Sequence, residues 1–214
     1  MSRILWRPTI FSFSLSTKEK KDKRFMAACQ TKVEKYDIKT LEAFLPSTTH
    51  VVASKRNTAI GLQALVNGRY IVSEDYIDTI LEVVEPSEDE DLSPLEQDFE
   101  KYWPDPMDYV PASTNEPNPR DKSLFAPKLE RQHIFEGWKI IFCDKAQYEN
   151  FLGLIADGGG KSERYDLVPK KTTARQLVDF VEKGNMGHTA IVRFRGKGPT
   201  EDWCAELATA VSEM

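Results

Sequence analysis

The spacing of apolar residues in the segment 48–84 alternates between the strand period and the helix period. Residues Thr48 to Ala53 alternate polar and β-branched side chains, which predicts a short strand. Asn57 is a suitable N-cap for the helix that follows. The apolar positions of that helix predict one face turned to the core, formed by Ala59, Leu62, Leu65 and Val66.

The same segment then repeats the pattern. The pair Asn67-Gly68 ends the helix, and Tyr70 to Val72 is a short apolar run suited to a buried parallel strand. Ser73 precedes Glu74 and Asp75, which predicts the start of a second helix. Strand, helix, strand and helix therefore follow one another without a gap, which indicates an α/β fold.

Three more elements are predicted upstream of this segment. Thr9 to Leu15 alternates well enough to be a first strand, and Lys18 to Lys32 has the single apolar face of an amphipathic helix. Val33 to Ile38 is predicted to be the second strand. The whole region predicts a small parallel sheet of about four strands with helices on both faces.

Residues 85–130 differ in kind from the segments on either side. They hold eight of the 12 prolines and the acidic run Glu88 to Asp91, so neither a long helix nor a central strand is expected. They also hold aromatic residues such as Phe99, Trp103 and Phe125, so parts of the segment are expected to pack against the flanking domains. The segment is interpreted as an acidic, proline-rich and partly ordered linker.

Residues 131–214 are predicted to form a second α/β domain. Lys139 to Cys143 is an apolar strand, and the helix after it, from about Gln147 to Ala156, stops at three glycines. The run Gly158 to Ser162 imitates a phosphate-binding loop, but it follows a helix and lacks the first glycine of that motif, so nucleotide binding is not predicted. The remaining predicted elements are strands at Tyr165 to Val168 and Thr189 to Phe194 and helices at Thr173 to Lys183 and Trp203 to Met214.

Charge is distributed unevenly along the chain. Residues 1–84 carry 13 Lys or Arg against 9 Asp or Glu, residues 85–130 carry 4 against 13, and residues 131–214 carry 12 against 12. These give +4, −9 and 0, which sum to the net charge of −5. The candidate basic clusters are Lys18 to Arg24 and Lys55-Arg56, and no concentrated basic face is predicted, so the sequence does not favour direct binding of nucleic acid. No apolar run approaches the roughly 20 residues of a membrane span.

The residues that most often carry catalysis or bind metals are scattered. No spacing typical of zinc ligands, disulfides or a nucleophile and its base is present, so neither an enzyme nor a cofactor is predicted. The dispersed residues are Cys29, Cys143 and Cys204 and the histidines His50, His133 and His188.

Several short motifs resemble a known family. The strand Thr-Thr-His-Val-Val at 48–52, the capped helix and Asn-Gly-Arg-Tyr-Ile-Val-Ser at 67–73 resemble the second half of a BRCT domain. Ser-Lys-Arg-Asn-Thr-Ala at 54–59 is similar to the fungal form of the nibrin family, the adaptor subunit of the nuclease complex that senses DNA double-strand breaks. Tyr-Trp-Pro-Asp-Pro at 102–106 resembles the linker of that family, and residues 130–160 resemble its second BRCT domain.

The resemblance implies two BRCT-like domains, at 1–84 and 131–214, of which the second is truncated or divergent. It implies a nuclear, non-enzymatic adaptor that recruits a phosphorylated damage-response protein, through a phosphoserine or phosphothreonine in an acidic context. The nuclease and ATPase subunits of the repair complex would bind through regions outside this chain. The alternative is a structural scaffold of the complex that binds partners without recognising phosphate.

Phosphate recognition in BRCT domains sets a chemical requirement that the chain meets only in part. In the family, the phosphate is held by a Ser or Thr at the end of the first strand, the next backbone N–H, and a Lys on the helix after the third strand. The resemblance places Phe13 and Ile60 at the two side-chain positions, and both depart from this chemistry. The candidate replacements nearby are the hydroxyls of Ser12 and Ser14 and the cations of Lys55 and Arg56.

Helical geometry also predicts the direction of Ile60. At about 100° per residue, it lies roughly 160° around the helix from Leu62, whereas the other apolar positions of the stripe fall within about 60° of Leu62. Leu62 is therefore predicted to seat the helix on the sheet, and Ile60 is predicted to point away from it.

Overall fold

The chain divides into two compact units, residues 1–129 and residues 130–214. The structure is a computed structural model that describes residues 7–15, 23–112, 118, 120–183, 187–192, 194 and 198–213. The predicted cap at Ser16 or Thr17 and most of the basic cluster Lys18 to Arg24 lie outside these residues.

The first unit is built on a sheet of four parallel strands. Its order is β2-β1-β3-β4, so the first strand lies inside the sheet and the chain crosses over between strands. The strands are β1 (Ile10–Ser14), β2 (Lys39–Leu41), β3 (His50–Ala53) and β4 (Tyr70–Val72).

Helices α1 (Lys23–Glu34), α2 (Ala59–Val66) and α3 (Asp75–Val84) accompany this sheet, with a separate apolar cluster on each face. The larger cluster combines β1 residues such as Phe11 and Phe13 with residues of α1 and α3. The smaller one joins β3 and β4 to Ala64 of α2. Because side chains alternate along a strand, the phenylalanines of β1 and the serines between them face opposite sides.

The predicted second strand at 33–38 is wrong. Val33 and Glu34 belong to the last turn of α1, where Val33 is buried with Cys29 four residues earlier. The chain then turns through Asp37, whose φ of +59° is left-handed, and pairs with β1 only from Lys39. The apolar residues at 33 and 38 fit a helix end and a turn as well as a strand, so periodicity alone placed this strand too early.

The predicted face of α2 is only partly right. Its N-cap is Thr58 instead of Asn57, and its buried residues are Gly61, Ala64 and the predicted Val66. Leu65 packs against the smaller apolar cluster as predicted, but so does Ile60, whereas Leu62, half-buried like Ile60, does not. Ile60 therefore points towards the sheet, because nearly every position of this short helix is apolar and the pattern does not single out one face.

The acidic segment after α3 folds back onto the first unit. It forms two single-turn helices, α4 (Pro94–Gln97) and α5 (Phe99–Tyr102), and 3-10 turns at Pro106–Tyr109 and Lys122–Phe125. The backbone N–H of Ser73 donates to the carbonyl oxygen of Tyr109 at 2.8 Å, and Trp103 and Tyr109 pack against the larger apolar cluster. The structure thus assigns the segment as far as Leu129 to the first unit.

The second unit has a sheet of three parallel strands in the described residues, with the order β6-β5-β7. Helix α7 lies between β6 and β7, where the first unit has a short connection from β2 to β3. The elements are β5 (Trp138–Phe142), α6 (Lys145–Asp157), β6 (Lys161–Arg164), α7 (Ala174–Glu182), β7 (His188–Ile191) and α8 (Glu201–Ser212).

The strand predicted at 165–168 is wrong, because β6 comes four residues earlier. Its sequence, Lys-Ser-Glu-Arg, has no apolar member, and its residues are mostly exposed at the edge of the sheet. Backbone pairing of residues 161–164 with β5 makes it a strand. The prediction of an α/β fold with two parallel sheets flanked by helices is nevertheless confirmed.

Candidate functional site

The carboxyl edge of the first sheet brings several of the predicted site residues together. β1 and β3 run parallel with Ser14 opposite Ala53, so the residues that follow both strands leave the sheet at the same edge. Residues 54–58 then lead into α2, whose first turn lies at this edge. The region that contains Ser14, residues 54–58 and the first turn of α2 is called the strand-end site below.

A chain of hydrogen bonds joins Ser14 to α2. The hydroxyl of Ser14 donates to Oγ1 of Thr58 at 2.8 Å, and the same oxygen accepts the backbone N–H of Gly61 at 3.0 Å. A threonine hydroxyl has two acceptor positions and one proton. Both acceptor positions of Thr58 are therefore filled, which leaves its proton as the group that it can donate.

Gly61 permits this arrangement. A Cβ atom at position 61 would lie 2.9 Å from Oγ1 of Thr58 and 3.2 Å from the carbonyl oxygen of Arg56. Only a residue without a side chain fits against the cap, so the first turn of α2 lies close to the loop that precedes it. In the sequence, Thr58 stands three residues before Gly61. The prediction of Asn57 as the N-cap missed this signal.

Ser12 lies deeper in the sheet and is fully buried. Its hydroxyl is 2.7 Å from Oγ1 of Thr48 and donates to the carbonyl oxygen of Ala43 at 3.1 Å. These contacts hold the loop between β2 and β3 against β1. Ser12 is thus on the same side of β1 as Ser14, but it is covered by the chain.

The two predicted cations have different environments. Lys55 is exposed in the loop before α2. Arg56 is only 5% exposed, and its guanidinium carbon lies 4.3 Å from the ring centre of Phe125, a cation–π geometry. Lys55 is therefore open to solvent beside the strand-end site, while Arg56 contacts the segment that contains Phe125.

Phe13 and Ile60, which the resemblance placed at the family's phosphate positions, are both packing residues. Phe13 is 1% exposed in the larger apolar cluster, and Ile60 packs against the smaller one. The side chain at the end of β1 that faces α2 is Ser14, one residue beyond Phe13.

The strand-end site combines three groups that can interact with an anion. It offers a hydroxyl proton, a helix N-terminus and an exposed ammonium group from one short loop. Helix N-termini and ammonium groups both stabilise negative charge. No nucleophile with an adjacent base is present in this group of residues.

The histidines lie in separate environments. His50 is buried and stacked on Tyr70 with ring centres 5.3 Å apart, and burial lowers its pKa to about 4. His133 contacts the exposed Glu136, and His188 lies beside Trp138. Among the described residues, no group of three or more His, Cys, Asp or Glu is placed to hold a metal ion. None of the helices in the described parts of the chain is long and apolar enough to cross a membrane.

Comparison with known families identifies the second unit. Residues 129–214 match the family described as the second BRCT domain on Nijmegen syndrome breakage protein, which is nibrin. Over these residues the chain is similar to the second BRCT domain of nibrin, and the resemblance predicted from the sequence is confirmed there.

A solved structure with BRCT repeats has a similar fold. The chain is similar to the FHA/BRCT-repeat domain of Nbs1 from S. pombe, with a TM-score of 0.54 and 11% identity over 97% of this chain and 64% of that one. It also matches the BRCT5-BRCT6 domains of S. pombe Brc1, with a TM-score of 0.47 and 14% identity over 95% of this chain and 83% of that one. A structure of the S. pombe Nbs1-Ctp1 complex matches with a TM-score of 0.42 and 14% identity, over 97% of this chain and 60% of that one.

The chain spans about two thirds or less of the Nbs1 structures that it matches, at 64% and 60%.

Proposed function

We propose that this chain is a non-enzymatic adaptor in the repair of DNA double-strand breaks, which recruits a phosphorylated protein to the strand-end site of its first BRCT unit. The partner would present a phosphoserine or phosphothreonine in an acidic context. The adaptor would work in the nucleus. Nuclease and ATPase subunits of a repair complex would bind to regions outside this chain.

The observation that carries the proposal is the hydrogen-bonded pair of Ser14 and Thr58 at the first turn of α2. Because Ser14 and Gly61 fill the acceptor positions of Thr58, the Thr58 hydroxyl is set to donate to an incoming oxygen. A phosphate carries about −1.5 to −2 charges and binds hydroxyl, backbone N–H and cationic donors together. Lys55 supplies the cation from the same loop.

The alternative function is a scaffold that binds partners without reading phosphate. It is favoured by the packing roles of Phe13 and Ile60 and by the cover of Phe125 over Arg56, which together leave Lys55 as the exposed cation of the loop 54–58. A single exposed lysine is a weaker phosphate ligand than a cation set on the helix itself, because its side chain loses more freedom on binding.

Titration with matched peptides separates the two functions. The full chain would be titrated with serine peptides in an acidic context, each made with and without a phosphate. The adaptor predicts that the phosphorylated form binds at least about tenfold more tightly, since one charge-assisted contact contributes roughly 1.5–3 kcal/mol. Equal affinity for both forms would reject the adaptor and leave the scaffold.

Three variants locate the phosphate. Ser14→Ala removes the donor that orders Thr58, and Lys55→Ala removes the cation. Each variant is expected to bind the phosphorylated peptide several-fold more weakly and to bind the unphosphorylated peptide with unchanged affinity. Lys171→Ala, which removes an exposed lysine of the second unit, is the matched control. Equal losses for both peptide forms, or an effect of Lys171→Ala as large as that of Lys55→Ala, would place recognition elsewhere.

A further inference from the structure

A groove lies at the amino edge of the first sheet, opposite the strand-end site. Thr9 precedes β1 and Ile38 precedes β2, and both line a cavity of about 880 Å³ that is closed on the other side by α4 and α5. Cavities of about 300–1,000 Å³ are the size of ordinary ligand sites. It is called the α4–α5 groove below.

The floor of the groove is apolar and partly aromatic. Phe99 and Trp103 stack with ring centres 5.1 Å apart and an angle of 17° between the planes, and Phe99 is 36% exposed. The other apolar lining residues are Tyr36, Ile38, Val84, Pro86 and Leu95. Such a surface favours apolar side chains and the flat face of a cation.

The rim of the groove is acidic. Among the described residues, four carboxylates line it, those of Asp37, Asp91, Glu96 and Glu100, against one cation, Arg7. The segment 85–100 that forms the outer wall holds eight Asp or Glu and no Lys or Arg. Hydrogen bonds from the backbone and side chain of Ser93 lower the pKa of Glu96, so its carboxylate stays ionised.

Arg7 shows what kind of group this rim holds. Its Nη2 atom is 2.5 Å from the Oε1 atom of Glu100, and its guanidinium carbon lies 5.3 Å from the ring centre of Phe99. A guanidinium thus takes a carboxylate and an aromatic face together at one end of the groove, while Asp91 and Glu96 line another part of it. Asp37 pairs with Lys39 at 2.6 Å, and Glu96 accepts hydrogen bonds from Ser93. Asp91 is thus the carboxylate most open to a second basic side chain.

We propose that the α4–α5 groove binds a basic peptide segment of a partner protein, in which Lys or Arg flanks one large apolar side chain. The apolar side chain lies against Phe99 and Trp103, and the basic groups face Asp91 and the second carboxylate oxygen of Glu100, whose Oε1 atom holds Arg7. The acidic rim repels phosphorylated peptides and nucleic acid, so this partner differs in charge from the one at the strand-end site. The groove is thus a second interaction surface on the same BRCT unit.

Peptide selection on the full chain tests this inference. A random dodecapeptide display library would be panned on the wild-type chain, and the enriched peptides would be synthesised and measured by fluorescence anisotropy. The expected consensus contains Lys or Arg beside Leu, Phe or Trp. The affinity is expected to fall about tenfold or more with the double variant Asp91→Lys/Glu100→Lys, and by less than about twofold with Glu206→Lys on α8.

A spectroscopic measurement on the wild-type chain makes the test independent of how the variants fold. Added peptide should shift the indole N–H signal of Trp103 and leave those of Trp138 and Trp203 in the second unit unchanged. A consensus without basic residues, equal affinity for the double variant, or an unmoved Trp103 signal would overturn the proposal. The double variant should still bind the phosphopeptide, because the strand-end site lies at the opposite edge of the sheet. This measurement separates failure of the groove proposal from failure of the strand-end proposal.

Discussion

Lys139 extends its ammonium group to the end of α7, where Nζ donates to the carbonyl oxygen of Val181 at 2.9 Å. It also donates to the carbonyl oxygen of Lys183 at 2.9 Å, and the residue is 1% exposed in the centre of the second sheet. The last carbonyls of a helix have no partner within the helix and carry partial negative charge. A buried lysine thus completes the end of α7 and connects it to β5.

Replacing this lysine should destabilise the chain. Lys139→Met keeps most of the volume and leaves two carbonyl oxygens at the end of α7 without their donor, which is expected to lower the free energy of unfolding by about 1–3 kcal/mol. A denaturant titration would measure it, with Lys171→Met on an exposed loop as control. A loss below about 0.5 kcal/mol, similar to the control, would mean that water replaces the ammonium group without cost.

The face of α2 gives a second prediction. Ile60→Ala should lower the free energy of unfolding by about 2 kcal/mol or more, because Ile60 packs against the apolar cluster that includes Val51 and Ala64. Leu62→Ala should cost about 1 kcal/mol or less, because Leu62 is half-buried outside that cluster. The two variants control for each other in denaturant titrations. A larger loss for Leu62→Ala than for Ile60→Ala would instead support the helix face predicted from the sequence.

The sequence predicts the elements whose residue pattern fits one kind of structure. β3 and β4 are short runs of mostly buried residues, and α3 has a distinct buried face, so their order in the segment 48–84 follows from spacing alone. α2 and β6 lack such contrast: one is apolar almost all round, and the other is polar throughout. Backbone pairing and packing decide these two elements, and they act between residues that are distant in sequence.

The strand-end site was predictable in its composition but not in its register. Ser14, Lys55 and Arg56 are polar residues beside predicted strand ends, which a sequence shows directly. Which of them a ligand can reach depends on Phe125, about 70 residues away in the chain, whose ring covers Arg56. The position of Thr58 as the cap depends on Gly61, whose missing side chain has meaning only against the folded loop.

The glycine triplet after α6 gives a third prediction. A Cβ atom at Gly160 would lie 2.7 Å from Cβ of Phe135 and 2.9 Å from Cγ2 of Ile155, so Gly160→Ala should cost about 1–3 kcal/mol by overpacking. Gly137 has open space around its α-carbon but a φ of +75°, so Gly137→Ala should cost about 1 kcal/mol through the backbone alone. Thermal unfolding of both variants would compare these effects. A neutral Gly160→Ala would show that Phe135 can move aside.

The last prediction concerns pH and follows from His50. Burial lowers the pKa of its imidazole from 6.5 to about 4 in the folded chain, where the ring stacks on Tyr70 and its Nδ1 is 2.8 Å from Oγ1 of Thr49. Between pH 6.5 and about 4 the unfolded chain therefore binds a proton that the folded chain does not. Stability then rises with pH in this window and is lost on acidification.

To order of magnitude, a pKa shift of this size changes the free energy of unfolding by about 3 kcal/mol, at about 1.4 kcal/mol per pKa unit. His50→Gln removes the titrating group, so the difference in unfolding free energy between wild type and variant should change with pH across the window and become constant above it. Carboxylates titrate in both proteins and cancel in this difference. A difference that stays constant from pH 4 to pH 7 would mean that the folded chain accepts the proton at His50 as readily as the unfolded chain does.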